Sequence, residues 1–192
     1  MTRLFHVALL AGACLSASAT IATAEIDPLT RQPLFQYADP SKAQATTIPR
    51  EVVSYETRHR PGTIVINTTE RRLYFVLPEG KAVRYGVGVG RPGFDWAGSQ
   101  TITRKAEWPT WTPPASMLKR RPDLPRFMPG GPENPMGARA LYLGSTLYRI
   151  HGSNEPETIG QAVSSGCIRM LNDDVIDLYE RAKVGTRVVV AR

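Results

Sequence analysis

Between Thr63 and Gly90 the chain carries three segments that suit a pleated sheet and little else. Thr63-Ile64-Val65-Ile66-Asn67 is β-branched almost throughout, and Arg72-Leu73-Tyr74-Phe75-Val76-Leu77 follows a Thr-Thr-Glu turn. A Glu79-Gly80 turn leads into residues 82–90, predicted as the third strand of a meander. Glycine takes every second place at its end (Gly86, Gly88, Gly90), which bares one face to another backbone or a ligand. Further strands are predicted at 102–108, 140–143, 147–150 and 187–190. Asn172-Asp173-Asp174 reads as a helix N-cap with acids in the first turn, and Val175, Ile176, Leu178 and Tyr179 form an apolar face as far as about Ala182. The fold class is therefore α+β, mainly β, with one helix in the C-terminal half and no internal repeat.

Ahead of this lies an address and an arm. Arg3 precedes an apolar run, Val7 to Ala13, and small residues ending in Ala22-Thr23-Ala24. That pattern predicts a signal peptide over residues 1–24; the run is too short for a bilayer span. Ala11 to Cys14 also has a faint likeness to a lipoprotein signal, with Ala11 where Leu is usual. Residues 25–61, punctuated by Pro28, Pro33, Pro40, Pro49 and Pro61, read as an extended N-terminal arm, and residues 62–192 as the domain proper. His59, between Arg58 and Arg60, reads as an exposed arm residue.

The stretch from 91 to 139 breaks the strand pattern with prolines and sets Trp108 close to Trp111. A long Pro- and aromatic-rich excursion in a compact domain is a functional lid or disorder, and the tryptophans favour a packed lid. Gly88-x-Gly90-x-x-Gly93 spells a dinucleotide fingerprint, but Pro92 and a turn follow where a helix must start, so no cofactor is expected. The formal net charge of +7 has no aromatic-interleaved basic stripe to match nucleic acid, and Lys119-Arg120-Arg121 before Pro122 reads as a solvated loop. A carboxylate-rich polymer outside the cytoplasm is the more natural partner.

Loss of residues 1–24 leaves Cys167 as the single cysteine, with His59 and His151 as the histidines. One cysteine makes no internal disulfide, and one Cys with two His lacks the paired spacing of a zinc site. The thiolate is the nucleophile, and a free thiol near pKa ~8.5 needs a base. His151 can take that proton and pass it to a leaving amine, with its other nitrogen held by a carbonyl of the Gly152 region. The Ser164-Ser165-Gly166 turn permits unusual backbone and leaves amide N–H groups for an oxyanion. Arg169, two residues beyond Cys167, projects to the same side of an extended strand and can pair with a substrate carboxylate. Cys–His acyl transfer follows from these residue types.

His151-Gly152-Ser153, Ile159-Gly160 and Ser164-Ser165-Gly166-Cys167-Ile168-Arg169-Met170 closely resemble the signature of the L,D-transpeptidase (YkuD-type) family. The likeness runs over about residues 62–192 and includes the Gly-Val-Gly-Val-Gly run, Asn134-Pro135-Met136-Gly137-Ala138 and Val184-Gly185-Thr186. Many members carry His where this chain has Ser165. The resemblance implies a mixed β-sandwich-like catalytic domain with a lid over the cleft, secreted to the periplasm or cell envelope. It implies a thioester on Cys167 formed from a peptidoglycan tetrapeptide stem with release of D-alanine. The acyl group then passes to an amine, of another stem or of an envelope protein. His151 is then base and acid, Arg169 orients substrate, and Tyr142 and Trp108 line the cleft. The alternatives are an L,D-carboxypeptidase or amidase using water at the same site, and a non-catalytic wall-binding module.

Overall fold

The computed structural model describes residues 48–192, which lie within one compact unit, Lys42–Arg192. The predicted signal peptide and the first part of the arm fall outside the described residues. The elements are β1 (Glu51–Ser54), β2 (Ile64–Asn67), β3 (Arg72–Val76), β4 (Lys81–Gly86), β5 (Val89–Gly90), β6 (Gly98–Glu107), α1 (Ala115–Arg120), β7 (Arg139–Leu143), β8 (Arg149–His151), β9 (Ala162–Ser164), β10 (Ile168–Arg169), α2 (Asn172–Arg181) and β11 (Arg187–Ala191). Nine strands form one mixed sheet in the order β1-β4-β3-β2-β11-β6-β7-β8-β10, and β5 pairs with β9 apart from it. β1, within the stretch read as an arm, adds an edge strand antiparallel to β4. No helix of the described residues is long and apolar enough to cross a membrane.

The sheet wraps one core. Ile64, Ile66, Leu73 and Tyr85 from one end share a cluster with Leu141, Leu143, Ile150 and Ile168 from the other, and Val175 and Leu178 of α2 enter it. Strand alternation produces this: in β2, β3, β7 and β11 every second residue is an apolar side chain turned inward. Each fully buried Ile or Leu supplies roughly 1.5–3 kcal/mol. The Tyr85 hydroxyl satisfies its donor on Asp177 Oδ2 at 2.5 Å, so the ring packs with no unpaired hydroxyl.

The predicted third strand does not run on to Gly90. β4 ends at Gly86; Val87 N–H goes to Arg71 O at 3.1 Å, and Gly88 exchanges two 2.9 Å backbone bonds with Arg169. β5 then pairs in parallel with β9. A Cβ on Gly88 would fall 2.7 Å from Thr158 O and 3.3 Å from Arg169 Cβ, so the bare face expected from the glycine alternation is where another backbone docks. A turn, not a helix, follows Gly90, which removes the dinucleotide reading on structural context.

Two further differences concern helices. Lys119 and Arg120 end the short helix α1 and are not loop residues. Asn172 does not cap α2, whose N-cap is Leu171 with no side-chain bond. Its Oδ1 instead accepts from Ala138 N–H at 2.9 Å and its Nδ2 donates to Ser153 O at 3.2 Å, tying together the loops that flank β7 and β8.

Candidate active site

Register builds the site. β8 and β10 are neighbouring parallel strands, with Ile168 beside Ile150 and Arg169 beside His151. Both isoleucines are fully buried in the core. Alternation therefore turns Arg149 and His151 of β8, and Cys167 and Arg169 at β10, toward the opposite face. All four line one cavity of about 720 Å³. Its other wall is the lid: Trp111, Pro114, Met117, Leu124, Met128 and Met136 face the same space.

The lid is pinned at its base. Trp111 and Met128 exchange backbone bonds of 2.9 and 2.8 Å. Buried Asn134 donates through Nδ2 to Pro129 O at 2.7 Å and Pro109 O at 3.2 Å, while its Oδ1 accepts from Met136 N–H at 2.8 Å. An Asn in this position satisfies backbone groups that prolines leave without local partners.

His151 is 5% exposed, and its Nδ1 lies 2.6 Å from Gly152 O. A carbonyl only accepts, so Nδ1 carries the proton and Nε2 is left as the acceptor. Burial holds the imidazole far below its ordinary range, down to about 4; the Gly152 carbonyl opposes this and the charges of Arg169 and Arg149 add to it. The ring is neutral at pH 7. Burial also pushes the Cys167 thiol up, while Arg149 and, more weakly, Arg169 pull it down. The resting pair is thus thiol and neutral imidazole, and proton transfer accompanies attack rather than preceding it.

The turn before Cys167 is braced from several sides. Ser164 Oγ donates to Cys167 O at 2.6 Å and accepts from Gly166 N–H at 3.1 Å. That Gly166 amide, expected to be open to an oxyanion, is occupied. Gly166 sits at φ 104°, and a Cβ there would lie 2.5 Å from Tyr148 Cε1. Gly166 O accepts from Trp96 Nε1 at 2.8 Å, and Trp96 stacks on Tyr148 with centroids 4.5 Å apart. Ser165 Oγ accepts from Arg91 Nη1 at 3.2 Å. Cys167 is half-buried, with Sγ 3.7 Å from Leu147 O.

Arg169 reaches the cavity but not as a free cation: Nη1 donates to Glu155 Oε2 at 2.6 Å and to Thr158 Oγ1 at 3.4 Å. Tyr142 and Trp108 do not line the cleft; Tyr148 and Trp111 do. Tyr142 is occupied by cations, with the Arg104 guanidinium 3.6 Å and that of Arg149 5.3 Å from its ring centroid. Trp108 stands at the lid hinge at φ 40°, its N–H on Ala138 O at 2.8 Å. Sequence reasoning missed Trp96, Arg91, Glu155 and Arg149. Only Arg149 left a local signal, two residues before His151 on one strand. Among the described residues no group of three His, Cys, Asp or Glu side chains is placed to hold a metal ion.

The model of the YkuD L,D-transpeptidase catalytic domain matches residues 61–190. The Escherichia coli protein named "Probable L,D-transpeptidase ErfK/SrfK" is 41% identical over 160 residues, covering 79% of this chain and 50% of that one. The chain spans about half the length of the curated relatives it matches first. A Brucella melitensis crystal structure described as a probable carnitine operon oxidoreductase is 44% identical, covering 76% of this chain and 95% of that one, at TM-score 0.52. L,D-transpeptidase 3 of Mycobacterium tuberculosis, solved with a faropenem-derived adduct, is similar in fold, at 17% identity, 68% and 60% coverage and TM-score 0.56.

Proposed function

The chain belongs to the YkuD L,D-transpeptidase family, and on that premise we propose that it is a cysteine acyltransferase of peptidoglycan working in the cell envelope. The observation that carries the reading is the convergence of Cys167 and His151, from adjacent parallel strands, on one lid-covered cavity, with Nδ1 committed to Gly152 O.

The Cys167 sulfur attacks the carbonyl carbon of the diamino acid at the third stem position as its proton moves to His151 Nε2. The tetrahedral intermediate collapses by breaking the C–N bond to D-alanine, whose amine takes the proton from the imidazolium. An acceptor amine then attacks the thioester and gives a proton to His151. The proton returns to the departing sulfur. Arg169, with Glu155 as its counter-ion, positions a substrate carboxylate. The acceptor is the diamino acid of a second stem or an envelope-protein amine; the apolar lid wall of Trp111, Met117 and Met128 favours an amine over bulk water. An oxidoreductase reading, suggested by the description of the Brucella relative, finds no strand–glycine–helix unit at Gly88–Gly93 to support it.

The test is intact-protein mass spectrometry of the protein with a purified tetrapeptide muropeptide, with product analysis. A Cys167-dependent acyl adduct and D-alanine release are expected, with cross-linked dimers as product. Tripeptide alone would mark an L,D-carboxypeptidase. No adduct, with a thiol inert to electrophiles at neutral pH, would mark a wall-binding module.

A further inference from the structure

We propose that Arg149 is a positioning residue of this centre, a cation that strand register sets beside Cys167 to hold the negative charge that develops on sulfur. The inference rests on Cys167 being the nucleophile, not on the identity of the acyl donor or acceptor.

Geometry comes first. Ile168 pairs with Ile150, so the residue before each, Cys167 and Arg149, stand abreast on the cavity face. Arg149 also pairs with Tyr142 across β7 and β8, and Tyr142 with Arg104 across β6 and β7. The Tyr142 ring therefore carries one guanidinium at 3.6 Å and the other at 5.3 Å. A tyrosine face supports a cation without cancelling its charge.

The neighbouring arginines are otherwise engaged. Arg169 is paired with Glu155 at 2.6 Å, Arg139 with Glu107 at 3.1 Å, and Arg91 donates to Ser165. Among the described residues no carboxylate pairs with Arg149, and its Nε is buried without an acceptor. Arg149 as a whole is half-buried, and a partly desolvated guanidinium with no counter-ion is stabilised when negative charge forms next to it. The charge that develops on the Cys167 sulfur as its proton leaves is that negative charge.

The other charged or titratable groups facing this space are His151 on β8, Tyr148 just before β8, Arg169 on β10 with Glu155 opposite, and Arg120 and Glu133 from the lid segment. Burial of the thiol opposes ionisation; against it Arg149 acts through its backbone N–H, its charge and its side chain. The same charge disfavours the imidazolium of His151. Arg149 thus stabilises the sulfur anion and drives the histidine to hand its proton on to the leaving amine.

The test is the pH dependence of Cys167 alkylation by iodoacetamide, followed by intact mass, in the wild type, Arg149→Gln and Arg149→Lys, with Cys167→Ala as the labelling control. The alkylation midpoint is expected to move up by about one pH unit in Arg149→Gln. The midpoint is the readout because a thiol of higher pKa is also more nucleophilic, which blunts a rate at one pH. Arg149→Lys keeps a charge and is expected to stay close to the wild type. Arg149→Met, which keeps the aliphatic stem, supplies the neutral variant should Arg149→Gln not fold. A neutral variant whose profile superimposes on the wild type overturns the proposal. So does Arg149→Lys shifting as far as Arg149→Gln, since shape rather than charge would then be at stake. Iodoacetamide needs no peptidoglycan, so failure to turn over muropeptide would remove the transpeptidase reading and leave this result standing.

Discussion

The 2.6 Å contact between His151 Nδ1 and the carbonyl oxygen of its own neighbour Gly152 fixes which nitrogen of the imidazole faces the chemistry. No carboxylate is needed to orient the ring, and the ring stays neutral down to about pH 4 because it is buried.

That neutrality sets a pH limit. His151 must be unprotonated to accept the thiol proton, so the acid limb of kcat/KM for Cys167 acylation is expected near pH 4 and not near the ordinary imidazole value of about 6.5. The pH profile measured by stopped acylation and mass spectrometry checks this; a limb centred at 6.5 contradicts it. Replacing the base, His151→Ala, is expected to slow acylation by roughly 10²- to 10⁴-fold at pH 7.

Arg169 and Glu155 make opposite predictions. Arg169→Ala is expected to raise KM for muropeptide severalfold while leaving alkylation by a small electrophile nearly unchanged. Glu155→Gln removes the competitor at 2.6 Å and is expected to lower KM. Steady-state kinetics on both variants decides; an unchanged KM in Arg169→Ala would remove its substrate role.

Asp174 links stability to pH. Burial raises its carboxyl to about 6, against the pull of Arg50 at 3.8 Å. A group whose folded pKa lies above its unfolded value near 3.8 contributes stability that is present below that value and lost as pH rises through about 6. Asp174→Asn is therefore expected to gain on the wild type by about 1–2 kcal/mol between pH 4 and pH 8, the full shift being reduced by screening. His151, with its depressed pKa, loses stability in the other direction as pH falls from 6.5 toward 4. It does so equally in both proteins, so the difference between their urea midpoints isolates Asp174.

Gly88→Ala tests the junction of sheet and site. Its Cβ would meet Thr158 O at 2.7 Å, a backbone atom that cannot rotate away. The Gly88–Arg169 bonds are expected to break, with a loss of about 1–3 kcal/mol in thermal unfolding and slower acylation. An unchanged Tm would show that this crossing is not needed to hold β10.

Much of the molecule was legible locally. Alternation marked β2, β3, β7 and β11, the helical period marked α2, and a lone thiol flanked by glycine, serines and a histidine–glycine pair marked the chemistry. These are signals of period two or of short spacing, set by the pleat and by side-chain type. Three features were decided elsewhere. β5 leaves the main sheet at Gly88, Asn172 bridges two loops instead of capping its helix, and Gly166 N–H is taken by Ser164. Which strand lies beside which depends on long-range register, and register alone makes Arg149 the neighbour of Cys167 and brings Trp96 onto Gly166 O from far along the chain. The sequence by itself determined the strands, the helix and the kind of nucleophile. Only the tertiary structure decided which charges and donors surround that nucleophile, because hydrogen-bonded strand pairing, and not chain proximity, chooses its neighbours.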